Sequence, residues 1–162
     1  MEAKEVKIGI GELNVVLPPD KIMTIGLGSC IGIALYDSVN KVAGLSHIML
    51  PSSIGFNNVT NLMKFANNAI PMLVSEMISH GANKKYLKSK IAGGACMFTF
   101  SNKSSTLDIG IRNTIAVKEI LKELNIPILS EETGGSSGRT MIVEPETGKV
   151  LIKTVGKGIK EL

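Results

Sequence analysis

Apolar positions recur along this chain with two different periods, and the switches between them mark out the elements. Glu5 to Val16 alternates as one strand, or as two broken near Gly9 and Gly11, and Leu17-Pro18-Pro19-Asp20 ends the run by withdrawing backbone donors. Ile22, Met23, Ile25 and Leu27 continue as a strand that closes in the turn Gly26-Leu-Gly-Ser-Cys30. Cys30 to Tyr36 and Lys41 to Met49 then predict a hairpin through Asp37-Ser-Val-Asn40, followed by a loop over Pro51 to Asn58.

Three- and four-residue spacing takes over next. Leu62, Phe65, Ala66, Ala69, Ile70, Leu73 and Met77 predict the buried face of a helix from Asn61 to about His80, with Thr60 as N-cap and Gly81 at the C-terminal end. Pro71 lies inside that pattern and predicts a kink or a break. A strand is expected over Tyr86 to Ile91, then a second glycine turn at Gly93-Gly94. A second helix over Asn113 to Leu124 is expected to bury Ile115, Val117, Ile120, Leu121 and Leu124. Pro127 to Leu129 starts a strand, Glu131 to Arg139 reads as a polar glycine loop, and Thr140 to Glu144 pairs with Val150 to Val155 as a closing hairpin with a polar tail. Strands in runs with two separate helices read as an α+β class with mixed or antiparallel sheets.

Composition narrows the picture. With 162 residues, 44% of them hydrophobic, the chain is long enough for one core and short for two, so residues 1–162 are read as a single domain. Eight methionines and no tryptophan leave the core to aliphatic side chains. The net charge of +4 is spread out, and no basic stripe interleaved with aromatics indicates nucleic acid. The N-terminus is charged rather than apolar, and no apolar run reaches the roughly 18 residues of a membrane span, so a cytoplasmic protein without membrane insertion is expected. In a reducing compartment Cys30 and Cys96 are expected as thiols.

The familiar cofactor patterns fail on spacing. Gly26, Gly28 and Gly32 carry one residue too many for G-x-G-x-x-G, and the loop before Arg139 lacks the lysine of a phosphate-binding P-loop. Two cysteines and two histidines show no ligand-pair spacing, so neither a metal nor a cofactor is expected.

What remains is a cysteine at a strand–turn–strand junction, where a side chain and several backbone N–H groups can converge as a thiol nucleophile and its oxyanion site require. The predicted hairpin brings the start of one strand to the end of the next, making Cys30 and His47 neighbours; His80, at a helix end, reads as a solvated partner of the helix dipole. The residues alone leave a second reading open, a small buried hydrophobe beside a hydrogen-bonded structural histidine.

Taken together, Gly26-Leu-Gly-Ser-Cys30, Ser46-His-Ile-Met-Leu-Pro51, Ile91-Ala-Gly-Gly-Ala95 with Met97-Phe98, Ile109-Gly-Ile-Arg-Asn113 and Thr133-Gly-Gly135 resemble the CheD family of chemoreceptor glutamine deamidases, over about Ile8 to Val155. The resemblance implies a layered α/β fold similar to the cytotoxic necrotizing factor deamidases, and hydrolysis of chemoreceptor glutamine amides to glutamate. It implies Cys30 as nucleophile, His47 as its base in a thiolate–imidazolium pair and Thr24 as the group orienting the imidazole, with the turn Gly26, Leu27, Gly28 and Ser29 around the oxyanion. Met97 and Phe98 are candidates for docking the substrate or a partner, and the implied partners are receptor cytoplasmic helices and a CheC-type phosphatase. A noncatalytic module that binds receptor or CheC, or a cysteine amidohydrolase acting on a small molecule, are the alternatives.

Overall fold

The alternating segments become strands β1 (Glu5–Ile8), β2 (Leu13–Val16), β3 (Lys21–Leu27), β4 (Ile31–Asp37) and β5 (Val42–Ile48), followed by helix α1 (Ala66–Ser79), β6 (Leu87–Gly93), helix α2 (Ile109–Glu123), β7 (Ile128–Thr133), β8 (Arg139–Val143), β9 (Val150–Thr154) and β10 (Gly158–Glu161). These come from a computed structural model that describes residues 2–97 and 109–162.

The strands form two five-stranded sheets, in the orders β1-β3-β8-β9-β10 and β2-β5-β4-β6-β7. β1 pairs with β3 and β6 with β7 in parallel; the other pairs are antiparallel. Both sheets are therefore mixed, and with two helices the class is α+β, as expected. The break near Gly9 and Gly11 does more than interrupt a strand, because it sends β1 and β2 to different sheets.

Side-chain alternation along β4 sorts the layers. Ile31, Ile33 and Leu35 pack with Ile70, Leu73, Met77, Val117 and Leu121 under the helices. Cys30 and Ala34 point the other way, into a second core shared with Ile22, Leu27, Leu45 and Met141 between the sheets. The order is helices, one sheet, apolar filling, the other sheet. At roughly 1.5–3 kcal/mol for each fully buried aliphatic side chain, these two cores dominate the favourable side of folding.

Several expectations need correction. The first helix is divided: Asn61, not Thr60, caps a 3-10 turn over Leu62–Lys64, Phe65 is extended, and α1 begins at Ala66. Leu62 consequently lies outside the buried stripe at 47% exposure, and Val74 joins it. α1 runs unbroken through Pro71. A mid-helix proline costs about 3 kcal/mol, but six buried residues between Ala66 and Met77 on the opposite face outweigh one lost bond.

The second helix starts at Ile109 rather than Asn113, and its buried stripe is Gly110, Asn113, Val117 and Leu121. Ile115 is about 200° round the helix from Asn113 and is exposed. Tyr86 belongs to a 3-10 turn over Lys84–Tyr86, and the strand after it reaches Gly93. Glu131 to Thr133 extend β7, so the polar glycine loop shrinks to residues 134–138, and the C-terminal tail adds β10 at a sheet edge.

Candidate active site

The site begins where β3 loses its register. The β3–β8 ladder shifts between Thr24 and Leu27, Gly26 adopts φ +82°, and the Gly28 N–H bonds back to the Gly26 carbonyl at 3.1 Å. A left-handed backbone at Gly26 is available to glycine without strain. This tight reversal carries the chain from one sheet to the other and delivers Cys30 to the first position before β4.

The second glycine turn clamps the same spot. The Gly94 N–H bonds the Cys30 carbonyl at 2.9 Å, and the Ala95 N–H bonds the Gly28 carbonyl at 2.8 Å. Gly93 has φ +116°, and a Cβ there would collide with the Cys30 carbonyl oxygen. That turn is a packing corner that supports the Cys30 turn from behind.

Register then decides which side chains meet. Ile31 pairs with Ile48 and Gly32 with His47, so Cys30 lies diagonally across the last rung from His47. Ala43 and Leu45 of β5 belong to the core between the sheets, and His47 shares their parity. Cys30 and His47 thus face the same layer, and Thr24 approaches from the opposing sheet. Turn backbone fixes His47 from behind: the Gly11 N–H donates to the His47 carbonyl at 2.9 Å, and the His47 N–H donates to the Glu12 carbonyl at 3.1 Å.

Hydrogen bonding assigns the tautomer of His47. The Thr24 hydroxyl donates its one proton to the Ile8 carbonyl at 2.9 Å and lies 2.7 Å from His47 Nδ1. With that proton engaged, the hydroxyl is an acceptor toward the ring, so Nδ1 carries the hydrogen and Nε2 keeps a lone pair. Nε2 is buried with no hydrogen-bond partner among the described residues.

The pocket is nearly dry. Thr24 is 0% exposed, His47 1% and Cys30 8%. Burial lowers the His47 pKa to about 4, and burial raises that of the free Cys30 thiol, an effect partly offset by the Cys30 backbone N–H beside the sulfur. Both groups are neutral near pH 7. Burial works against both halves of the thiolate–imidazolium pair implied by the resemblance, because each would be a charge in a low-dielectric site.

Of the other expected site residues, Leu27 is fully buried in the core, whereas Gly26, Gly28 and Ser29 line the turn with partial or full exposure. Met97 is 44% exposed and lies over the turn, its Cγ 3.0 Å from where a Cβ on Gly28 would stand. Phe98 lies outside the described residues.

Two buried residues of this region escaped the sequence reading. Asn113 sits in the buried stripe of α2 and donates from Nδ2 to the Ser29 carbonyl at 2.9 Å and the Met49 carbonyl at 3.0 Å. Arg139 opens β8 and donates to the carbonyls of Gly93 at 3.0 Å and Gly134 at 2.7 Å, tying the second glycine turn to the 134–138 loop. A polar residue at an apolar helix position was the available signal for Asn113. For Arg139, the adjoining glycines suggested only a loop.

Comparison with known proteins now bears on this geometry. The family model described as CheD chemotactic sensory transduction matches residues 49–154. A protein of Clostridium novyi (strain NT) named probable chemoreceptor glutamine deamidase CheD is 60% identical over 162 residues, covering all of both chains. One of the same name from Clostridium botulinum (strain Hall / ATCC 3502 / NCTC 13319 / Type A) is 62% identical over the same full length. The chain belongs to the CheD family. The family model starts just past His47, so the likeness across Thr24, Cys30 and His47 is carried by these full-length relatives. Among solved structures, the crystal structure of Bacillus licheniformis hypothetical protein YfiH has a TM-score of 0.42 at 14% identity, covering 70% of this CheD-family chain and 46% of its own.

Proposed function

We propose that this protein is a chemoreceptor glutamine deamidase in which Cys30 is the nucleophile, His47 the general acid and base, and Thr24 the residue that orients the imidazole. The observation that carries this reading is the buried Nε2 lone pair, held ready by the Thr24 hydroxyl on the face that Cys30 shares.

As sulfur attacks the amide carbon, Nε2 takes the thiol proton, so charge separates only along the reaction path. The Gly28 N–H is engaged within the turn, which leaves the N–H groups of Ser29 and Cys30 to stabilise the oxyanion. The imidazolium returns its proton to the departing nitrogen, ammonia leaves, and a thioester remains. Water then loses a proton to Nε2 and attacks the thioester carbon; the thiolate departs, is reprotonated, and glutamate is released. The glutamine amide and one water become a carboxylate and an ammonium ion.

The small residual exposure of Cys30, 8%, beside the exposed Met97 suits a long unbranched side chain presented by a folded partner. The substrate in this reading is a receptor helix in the cytoplasm, with Met97 at the contact and a CheC-type phosphatase as a partner for the same surface. No helix among the described residues is long and apolar enough to cross a membrane.

The test is incubation with a chemoreceptor cytoplasmic fragment and mass spectrometry of its glutamine peptides. Wild type converts specific amides to acids, and Cys30→Ala and His47→Ala do not. Wild type that binds the fragment and leaves every glutamine intact overturns the enzymatic reading in favour of an interaction module.

A further inference from the structure

The last rung of the β4–β5 ladder is Ile31–Ile48, and both proposed reacting residues depend on backbone at that frayed end. Ser29 immediately precedes Cys30, and Met49 follows His47 by two residues. The strand ladder no longer joins these two carbonyls, and one carboxamide bridges them: Asn113 Nδ2 donates one hydrogen to Ser29 and the other to Met49.

Geometry assigns the orientation of that amide, because only the nitrogen side can face two carbonyl oxygens. Asn113 is 0% exposed, and its Oδ1 has no partner among the described residues. An unpaired buried acceptor is unfavourable, and an aliphatic side chain would suit this stripe between Gly110 and Val117 better. The residue therefore serves placement more than stability.

The helix that presents it is a firm reference. Val117 and Leu121 anchor α2 in the core, and Gly110 sits so close to the second glycine turn that a Cβ would stand 2.5 Å from the Gly94 carbonyl oxygen. One turn of α2 thus touches the corner behind Cys30 while Asn113 spans the ends of both strands.

We propose that Asn113 is a positioning residue that locks the Cys30 turn to the end of the His47 strand and so sets the alignment of Sγ with Nε2. The proposal rests on the reading of Cys30 and His47 as the reacting pair. Loss of the clamp lets two backbone segments part by a fraction of an ångström, enough to weaken proton transfer while the substrate surface stays in place.

The test compares Asn113→Ala, Asn113→Asp and the core control Val117→Ala, all with Cys96→Ser so that one thiol remains. In receptor-fragment deamidation, Asn113→Ala lowers kcat about 10- to 100-fold with KM within about twofold, whereas Val117→Ala keeps kcat within about twofold despite lower thermal stability. Alkylation of Cys30 by iodoacetamide slows in Asn113→Ala when His47 is present and is unchanged by it in a His47→Ala background. Asn113→Asp keeps the shape but donates at most one bond, and only when protonated. Its kcat therefore lies below wild type while the acid is protonated and one bond remains, and falls further as pH rises through the pKa of the new buried acid and the last bond is lost, a limb absent from wild type.

Unchanged kcat in Asn113→Ala, an equal loss in Val117→Ala, or the same slowing of alkylation without His47 overturns the clamp. If Asn113→Ala does not fold, the Asn113→Asp pH profile decides, and a flat profile overturns it. If wild type converts no glutamine, the deamidase reading fails while the alkylation arms still judge the clamp.

Discussion

A single hydroxyl proton determines how the histidine is used. Thr24 gives that proton to the Ile8 carbonyl and so acts on His47 only as an acceptor. Thr24→Ser preserves this arrangement and keeps kcat within a few-fold. Thr24→Val leaves Nδ1–H facing a methyl group, the ring loses its preferred tautomer, and kcat falls about 10- to 100-fold, read from deamidation kinetics of the two variants side by side. The base must be neutral to accept the thiol proton, and burial lowers the pKa of His47 to about 4. Deamidation therefore persists as pH is lowered from 7 to about 5 and fails as it approaches 4, whereas a solvated imidazole would be largely protonated below about 6.5. A profile of kcat/KM against pH, which reports the free enzyme, that breaks near 6.5 contradicts a buried, neutral histidine.

Each glycine turn acts as an element in its own right. The first reverses the chain between sheets, and the second presses against the Cys30 carbonyl so closely that Gly93 accepts no side chain. The second therefore sits where backbone meets backbone, whereas a Cβ at Gly28 in the first would meet the Met97 side chain. Helix α1 shows packing prevailing over propensity. Pro71 lies on the exposed face, where its missing N–H leaves the Asn67 carbonyl without the usual helical donor. Pro71→Ala restores that bond, for a net gain of up to about 3 kcal/mol, a figure that already includes the added entropy of the unfolded chain. A higher denaturant midpoint with unchanged slope and unchanged kcat is the expected result; a lower midpoint would show that the proline is needed where it stands.

Across the whole molecule, the buried site is linked to stability. Between about pH 6.5 and about pH 4 the unfolded chain binds a proton at His47 that the folded chain excludes. The contribution of the neutral, buried ring is fully present above 6.5 and is lost as pH falls through that window. Thermal melts show wild type losing stability on acidification more steeply than His47→Gln; parallel curves would mean that the ring is hydrated. Asp37, whose carboxylate is held below its usual range by hydrogen bonds from Asn40, Asn83 and Val39 despite its burial, adds a loss of the same sign at lower pH. Much of this molecule was legible in local pattern. Alternation and three-to-four spacing located nine of the ten strands and both α-helices among the described residues, and the hairpin register alone made Cys30 and His47 neighbours, because period-2 geometry is a property of the backbone. The misreadings at Leu62, Ile115 and Pro71 arose where a helix face is chosen by what packs against it. The chain by itself determined the elements, the α+β class and the candidate thiol and imidazole. Only the tertiary structure decided that β1 and β2 part into different sheets, that Thr24 reaches across to His47, that burial disfavours charge on both Cys30 and His47, and that Asn113 joins two strand ends, since each of these depends on residues 6 to 84 positions apart meeting in space.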